Sequence, residues 1–214
     1  QSDLHLKTSI RSFRSEHVSK FVKSSLDCDL DNAKKLLVEL NGKYPIVITR
    51  DITIAKDWLK NKSRGNERYG IIASSKAHRL RPFGIYVDAD IDAPQWFLND
   101  KEDVRSSYYL EHVATEFHIQ GLELDWTCVA WDGNFRFENN AWSYNQFSGK
   151  KWNKIRSEDK ITYLKNTYRV LLTRARQGMV IFVPKGDDED HTRKHEYYDG
   201  TFEYLKSIGI KELV

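Results

Sequence analysis

The sequence predicts an α/β fold in which helices cover both faces of a mostly parallel sheet. Three short apolar runs, Pro45–Thr49, Tyr69–Ala73 and Thr127–Trp131, have the composition of strands buried on both faces. Segments with helical spacing of apolar residues separate these runs, and this alternation is typical of a parallel sheet. The chain has 214 residues, a length that favours one large domain over 1–214.

The amino-terminal segment from Leu6 to Leu40 is expected to be helical. Its apolar residues recur at spacings of three and four, at Val18, Phe21, Val22 and Leu26 and again at Ala33, Leu36, Leu37 and Leu40. Either Asp29 or Asp31 can cap the second helix, and Asn41-Gly42 ends it.

The middle of the chain is predicted to contain a helix over 51–62, a short basic helix or turn over 76–81, and a short strand over 113–115. Ser74 and Ser75 end the strand Tyr69–Ala73. Residues 84–109 have no regular pattern.

The carboxyl-terminal third begins with residues 133–157, which are rich in Asn, Trp and Phe and are predicted to be an insertion or a long loop. Ser157 is a suitable N-cap for a long amphipathic helix that extends to Arg176. The apolar run Met179–Val183 is the last predicted strand, and a closing helix contains Phe202, Leu205 and Ile208.

Composition limits the class of protein. The formal net charge is +3, and both signs are mixed along the chain, so charge alone does not predict nucleic-acid binding. No apolar run approaches the roughly 18–20 residues that span a bilayer, and we expect a cytoplasmic protein with no membrane partner. Cys28 and Cys128 lack metal-ligand spacing and are expected to be reduced thiols. Because Met179 is the only methionine, we expect a piece of a longer polypeptide.

Arg174 and Arg176 are the first candidate functional residues. In the predicted helix they occupy the last turn, immediately before Gly178 and the strand that follows. Basic residues at this position complement the helix dipole, so a purely structural role remains open. The alternative is that the helix presents a fixed cation to a phosphate at the edge of the sheet.

The segment Thr115–Asp125 is the second candidate. It places polar residues between two predicted strands, and open α/β sheets bind ligands at such edges. Taken alone it is also compatible with an ordinary loop. Arg11, near the start of the chain, is by itself a surface arginine.

Together these segments resemble the second RecA-like domain of superfamily 1 helicases. Thr115–Asp125 is similar to motif V, in which a Thr is followed after several residues by Gly-Leu-Glu-Phe-Asp. Tyr168–Ala175 is similar to motif VI, with one extra residue between Tyr and Thr-Arg-Ala, and Leu6–Arg11 is similar to motif IV. The chain most resembles the helicase-like family DUF2075, whose members are ATPases related to the Schlafen helicase region.

The resemblance implies a function for individual residues. Arg174 would be the arginine finger on the γ-phosphate of ATP, and Arg11 a second catalytic arginine. The implied nucleotide-binding residues are Gly121, Glu123 and Tyr168, and the implied nucleic-acid-binding residues are Thr115, Gln120, Ser74 and Ser75. The implied partners are DNA or RNA and an amino-terminal RecA-like domain of the same protein.

Two departures from the helicase pattern affect what this chain can do alone. Motif V often has His two residues after Thr, but Phe117 stands there and His118 follows it. No G-x-x-x-x-G-K-[ST] phosphate loop occurs in the sequence. ATP with Mg²⁺ would therefore be bound mainly by the absent amino-terminal domain, and we expect the fragment alone to be inactive.

Several alternatives remain at this point. The chain could be a nucleic-acid or protein binding module on a helicase fold without ATP turnover. The aromatic and basic residues of 133–157 could stack bases, or they could form the core of the insertion. The acidic runs 88–92 and 187–190 are not expected to bind metal, because neither matches a calcium loop or a strand-end acidic pair. A standalone nuclease is not favoured.

Overall fold

The computed structural model describes the backbone of residues 2–214 and the side chains of residues 14–214. The helices are α1 Ser2–Leu26, α2 Leu30–Leu40, α3 Ile52–Lys62, α4 Ala93–Leu98, α5 Glu158–Leu172 and α6 Asp199–Ser207. The strands are β1 Ile46–Thr49, β2 Tyr69–Ala73, β3 Ala114–Thr115, β4 Leu124–Ala130, β5 Phe135–Glu138, β6 Ala141–Ser148, β7 Lys151–Lys154, β8 Ala175–Phe182 and β9 Lys211–Glu212. No helix in this described part is long and apolar enough to cross a membrane.

Six strands form one sheet in the order β3-β2-β4-β8-β1-β9, and every pairing in it is parallel. The three apolar runs that predicted this sheet are β1, β2 and β4, and they lie in its interior. The prediction of an α/β fold with a parallel sheet flanked by helices is confirmed, and the architecture is consistent with a RecA-like fold.

Two apolar cores lie on opposite faces of the sheet. Alternate residues of one strand enter different cores: Met179 and Ile181 of β8 pack on one face, whereas Val180 and Phe182 pack on the other. This alternation follows from the two-residue period of a strand. Helices α1, α2, α5 and α6 contribute to the first core, and α3 contributes to the second.

Helix α5 ends earlier than the sequence pattern predicts. The helix stops at Leu172 rather than Arg176, and β8 begins at Ala175 rather than Met179. Pairing with β4 accounts for the difference, because the Leu124 amide donates to the Arg174 carbonyl oxygen at 3.2 Å. Arg174 therefore lies in the two-residue connection between α5 and β8, and Arg176 lies in the strand.

Residues 133–157, predicted as an insertion or a long loop, contain the antiparallel sheet β5-β6-β7. Trp131, Phe135 and Trp142 are buried and stack on one another, so they belong to the core and are not available to stack bases. For these three residues the structure supports a role in the core.

Candidate functional site at two edges of the parallel sheet

The predicted site residues divide between the two edges of the parallel sheet. Arg174 immediately precedes β8, and Gly121 and Glu123 precede β4, so these three lie at the amino edge. Ser74 and Ser75 follow β2 and Thr115 ends β3, which places them at the carboxyl edge. Gln120 is exposed in the segment that returns from the carboxyl end of β3 to the amino end of β4.

Arg11, the predicted second catalytic arginine, is part of helix α1. Its side chain lies outside the described residues, so its position relative to either edge stays a prediction.

At the amino edge, the connection that carries Arg174 touches the loop before β4. Arg174 Nη1 donates to the carbonyl oxygen of Leu122 at 3.1 Å. The parallel pairing of β4 and β8 causes this contact, because it places the amino ends of both strands side by side. Two segments separated by about fifty positions in the chain therefore meet at one point of the sheet.

The guanidinium of Arg174 is incompletely satisfied. Its Nε is buried and has no hydrogen-bond partner, and no ion pair of Arg174 occurs among residues 14–214. Arg176 differs, because its Nη2 lies 3.0 Å from Asp125 Oδ1. A buried cationic donor without a partner is costly, since it has left water without a replacement acceptor. An anionic acceptor beside Arg174 would remove this cost.

Gly121 gives the neighbouring loop its shape. Its φ of +76° lies in the left-handed region, which residues with a side chain rarely adopt. A Cβ at this position would meet no atom within 4 Å, so the space beside the backbone is open. Glu123, two residues later, is exposed. The backbone here is thus accessible to a ligand approaching Arg174.

A polar network that was not predicted from the sequence stabilises the amino edge of the sheet. Gln177 Nε2 donates to Glu67 Oε1 at 2.8 Å and lies 3.3 Å from Asp125 Oδ1. Trp126 Nε1 donates to Glu67 Oε2 at 3.0 Å. Burial opposes ionisation of Glu67, but the hydrogen bonds from Trp126 and Gln177 outweigh it and lower the pKa of this carboxyl. The network fixes the starts of β4 and β8 without involving Arg174.

At the carboxyl edge, Glu116 joins the ends of β2 and β3. It is only 5% exposed, and its carboxylate accepts hydrogen bonds from both the amide and the hydroxyl of Ser75 at 2.8 Å. Tyr163 and Thr167 of α5 also donate to Glu116 Oε1, at 3.3 and 3.5 Å. The polar groups of Ser75 are thus already bonded within the protein. Glu116 directly follows the predicted strand 113–115, a strand-end position that could have identified it.

Thr115 is hydrogen-bonded to His118. This histidine directly follows Phe117, which occupies the motif V position where a histidine often stands. The Thr115 amide lies 3.1 Å from His118 Nδ1, and its hydroxyl oxygen lies 3.0 Å from the same nitrogen. An amide can only donate, so Nδ1 accepts and the ring proton is on Nε2. Burial lowers the pKa of His118, although Asp90 and Glu116 act in the opposite direction. This arrangement favours the neutral imidazole.

A second network at the carboxyl edge contains two predicted site residues, Tyr168 and Ser74, in fully buried positions. The Tyr168 hydroxyl donates to Asn134 Oδ1 at 2.7 Å and accepts from the Asp132 amide at 3.3 Å. Asn134 Nδ2 in turn donates to Ser74 Oγ at 3.3 Å. Burial raises the pKa of both Tyr168 and Asp132. Because neither Tyr168 nor Ser74 has exposed surface, we assign both to the core rather than to direct ligand contact.

No group of three or more metal-binding side chains occurs in the described part of the chain. The acidic residues that most resemble metal ligands are bonded within the protein. Arg193 bridges Asp187 and Asp190 at 3.2 and 2.9 Å, and Asp190 also pairs with Arg79. These carboxylates act as ion-pair partners that fix the segment after β8.

Comparison with known protein families identifies the family of this chain. The model of the Schlafen group 3, DNA/RNA helicase domain, matches residues 1–185, which include both edges of the sheet and helix α5. Comparison with curated proteins gives no match. Since the matched residues form most of the chain, the protein belongs to the Schlafen group 3 DNA/RNA helicase domain family.

Proposed function

We propose that this chain is the second RecA-like motor domain of a superfamily 1 helicase-like ATPase, with the features of DUF2075. In this role the amino edge of the sheet supplies Arg174 as an arginine finger to ATP and Mg²⁺ held mainly by a preceding RecA-like domain. The carboxyl edge faces DNA or RNA. The family assignment supports a helicase-like function, and the geometry of the two edges supports this division of labour.

The observation that carries the proposal is the unsatisfied guanidinium of Arg174. Among residues 14–214 its one hydrogen bond is to Leu122, its buried Nε has no partner, and no carboxylate forms an ion pair with it. A planar, permanently charged guanidinium suits phosphate oxygens, because its donors match their geometry. ATP supplies the phosphoryl group, and negative charge on that group is stabilised by such an arginine.

The segment 116–123 offers a physical route between hydrolysis and nucleic-acid binding. It follows Thr115 on the carboxyl edge and ends at Glu123 on the amino edge, beside the segment that carries Arg174. A shift of the Arg174 connection on phosphate release would pull on the Leu122 carbonyl and hence on this segment. Gly121 and Glu123 would then lie next to the nucleotide, and Thr115 next to the nucleic acid.

The nucleic-acid part of the proposal uses Thr115 and Ser75 at the carboxyl edge and Gln120 in the segment that leads from this edge to β4. Gln120 is exposed and Ser75 is half-buried, so both have surface available for a strand. Thr115 is buried, and its hydroxyl is bonded to His118. We therefore assign Thr115 a positioning role, with Gln120 as the direct contact.

The test is ATP hydrolysis by the protein that contains both RecA-like domains. We expect Arg174→Ala to lower kcat by about 10³–10⁵-fold, as removal of an arginine finger does. Arg176→Ala is the matched control, because this arginine is two residues away and is already paired with Asp125. The control should keep near-normal turnover, and the 214-residue chain alone should have none.

Near-normal hydrolysis by the Arg174→Ala protein would contradict the finger assignment. If the protein with both RecA-like domains showed no turnover at all while still binding nucleic acid, that result would favour the alternative function, a binding module on a helicase fold.

A further inference from the structure

We propose that the β5-β6-β7 sheet and helix α5 form a pocket that holds one unstacked nucleotide of a single-stranded nucleic acid. The pocket has a volume of about 290 Å³ and is lined by Lys76, Asn145, Gln146, Ile155, Lys160, Tyr163 and Leu164. This inference rests on the nucleic-acid part of the proposed function and adds to it a site and a strand preference.

The size of the pocket limits its occupant. Small-molecule sites in proteins range from about 300 to 1,000 Å³. A pocket of about 290 Å³ is at the lower end of that range and suits one base rather than a stack of several. Leu164 is buried and Ile155 is half-buried, so the pocket has an apolar wall for a planar ring.

Tyr163 provides a stacking surface that is held in place. The side chain remains 46% exposed, although its hydroxyl donates to the buried Glu116. An exposed aromatic ring that is anchored at one end loses little further freedom when a base stacks on it. Stacking on aromatic side chains is the main way in which proteins bind single strands without reading their sequence.

The polar groups around Tyr163 match the rest of a nucleotide. Lys76 and Lys160 form no ion pair within the described part of the chain, so both ammonium groups are available to bind a phosphate. The Gln146 side chain is exposed and has no hydrogen-bond partner among residues 14–214, which leaves its amide free to meet the edge of a base. Because an amide side chain both donates and accepts hydrogen bonds, it can bond to the edge of any base and does not select one base strongly.

The pocket is continuous with the carboxyl edge. Glu116 binds Tyr163 of the pocket and also binds Ser75, the residue before Lys76. Thr115 precedes Glu116 in β3. A strand that passes along this edge would therefore reach the pocket within one or two residues of the contacts already proposed. A paired base cannot enter such a pocket without leaving its duplex, so the site favours single strands.

The experiment measures binding of a fluorescein-labelled oligothymidylate and of a blunt duplex of equal length by fluorescence anisotropy, without ATP. For the 214-residue chain we expect tighter binding of the single strand. Tyr163→Ala should weaken single-strand binding about five-fold or more, which corresponds to the loss of one stacked base. Tyr163→Phe keeps the ring and should therefore bind the single strand with most of the wild-type affinity. Tyr109 is similarly exposed but lies outside the pocket, so Tyr109→Ala should not change the affinity.

The salt dependence of binding tests the two lysines. For single strands, the slope of log K against log salt concentration changes by about 0.7 for each phosphate that a protein neutralises. Lys76→Ala and Lys160→Ala should each reduce the slope by about this amount. Lys60→Ala, on helix α3 and outside the pocket, should leave it unchanged.

Two results would overturn the inference in distinguishable ways. If the chain binds the single strand and Tyr163→Ala binds it as well as the wild type, the pocket is wrong but the proposed function stands. If the chain binds neither probe, the nucleic-acid part of the proposed function fails together with the pocket. Arg174-dependent hydrolysis is measured separately and does not depend on either result.

Discussion

The two edges of the parallel sheet differ in how far their polar groups are already satisfied. At the carboxyl edge, Ser75 and Thr115 are bonded to neighbouring side chains, and Glu116 is enclosed by donors. At the amino edge, the network of Glu67 and its partners does not include Arg174, and the buried Nε of Arg174 has no hydrogen-bond partner. The polar groups of the carboxyl edge are therefore bonded within the protein, whereas at the amino edge a buried donor of Arg174 is not, and in the proposed function ATP would supply its partner.

This comparison predicts that substitutions at the carboxyl edge reduce folding stability, whereas substitution of Arg174 reduces activity. The largest stability effect is expected for Tyr168→Ala. Tyr168 is fully buried and packs on Trp131 and Phe135. Removing a large aromatic side chain from a core typically costs about 3–5 kcal/mol. Urea unfolding followed by circular dichroism would measure the loss.

Tyr168→Phe is the control that isolates the hydroxyl group. It keeps the ring and removes only the bonds to Asn134 and the Asp132 amide, so a cost of about 1–2 kcal/mol is expected. If Tyr168→Ala cost no more than Tyr168→Phe, the ring would contribute nothing to the core, and the assignment of Tyr168 to a structural role would fail.

A smaller effect is expected for Glu116→Gln. The glutamine has nearly the same shape, but one of its oxygens is replaced by an amide that donates and cannot accept. In one orientation the new amide faces the Ser75 amide, which can only donate, and in the other it faces the Ser75 hydroxyl, which must then accept instead of donate. Leaving a buried donor unpaired costs about 1–3 kcal/mol. The same unfolding measurement applies.

Glu203→Gln provides the matched control for Glu116→Gln, because Glu203 is an exposed glutamate on α6 and its loss should change stability by less than about 0.5 kcal/mol. Equal effects of the two substitutions would mean that the Glu116 network does not stabilise the carboxyl edge.

The sequence was sufficient to predict the sheet because buried parallel strands have a distinctive apolar composition. It placed the end of helix α5 about one turn too late, since the pairing of Leu124 with Ala175 is a contact between distant segments. The β5-β6 hairpin was missed, although its turn residues Asn139 and Asn140 both have positive φ and are a type of pair that favours tight turns.

For the candidate site, motif resemblance selected Arg174 and Gly121. The structure brings their segments together, and their roles in nucleotide binding stay predictions. Glu116, Asp132 and Asn134 were not identified, because their partners lie far away in the chain and only the folded sheet brings them together. The full burial of Tyr168 and Ser74 was not foreseen, because a motif does not encode burial.

Among the candidate site residues, the smallest change in stability is expected for Arg174→Ala, and this substitution is the most direct test of the amino edge. The substitution removes one hydrogen bond to Leu122, but it also removes a buried Nε that has no partner. These effects oppose each other, so the free energy of unfolding should change by less than about 0.5–1 kcal/mol. A loss of several kcal/mol in urea unfolding would show that Arg174 is bonded as firmly as the carboxyl-edge residues. A near-zero change together with lost ATP hydrolysis would mean that the residue is kept for a ligand, since its own fold gains nothing from it.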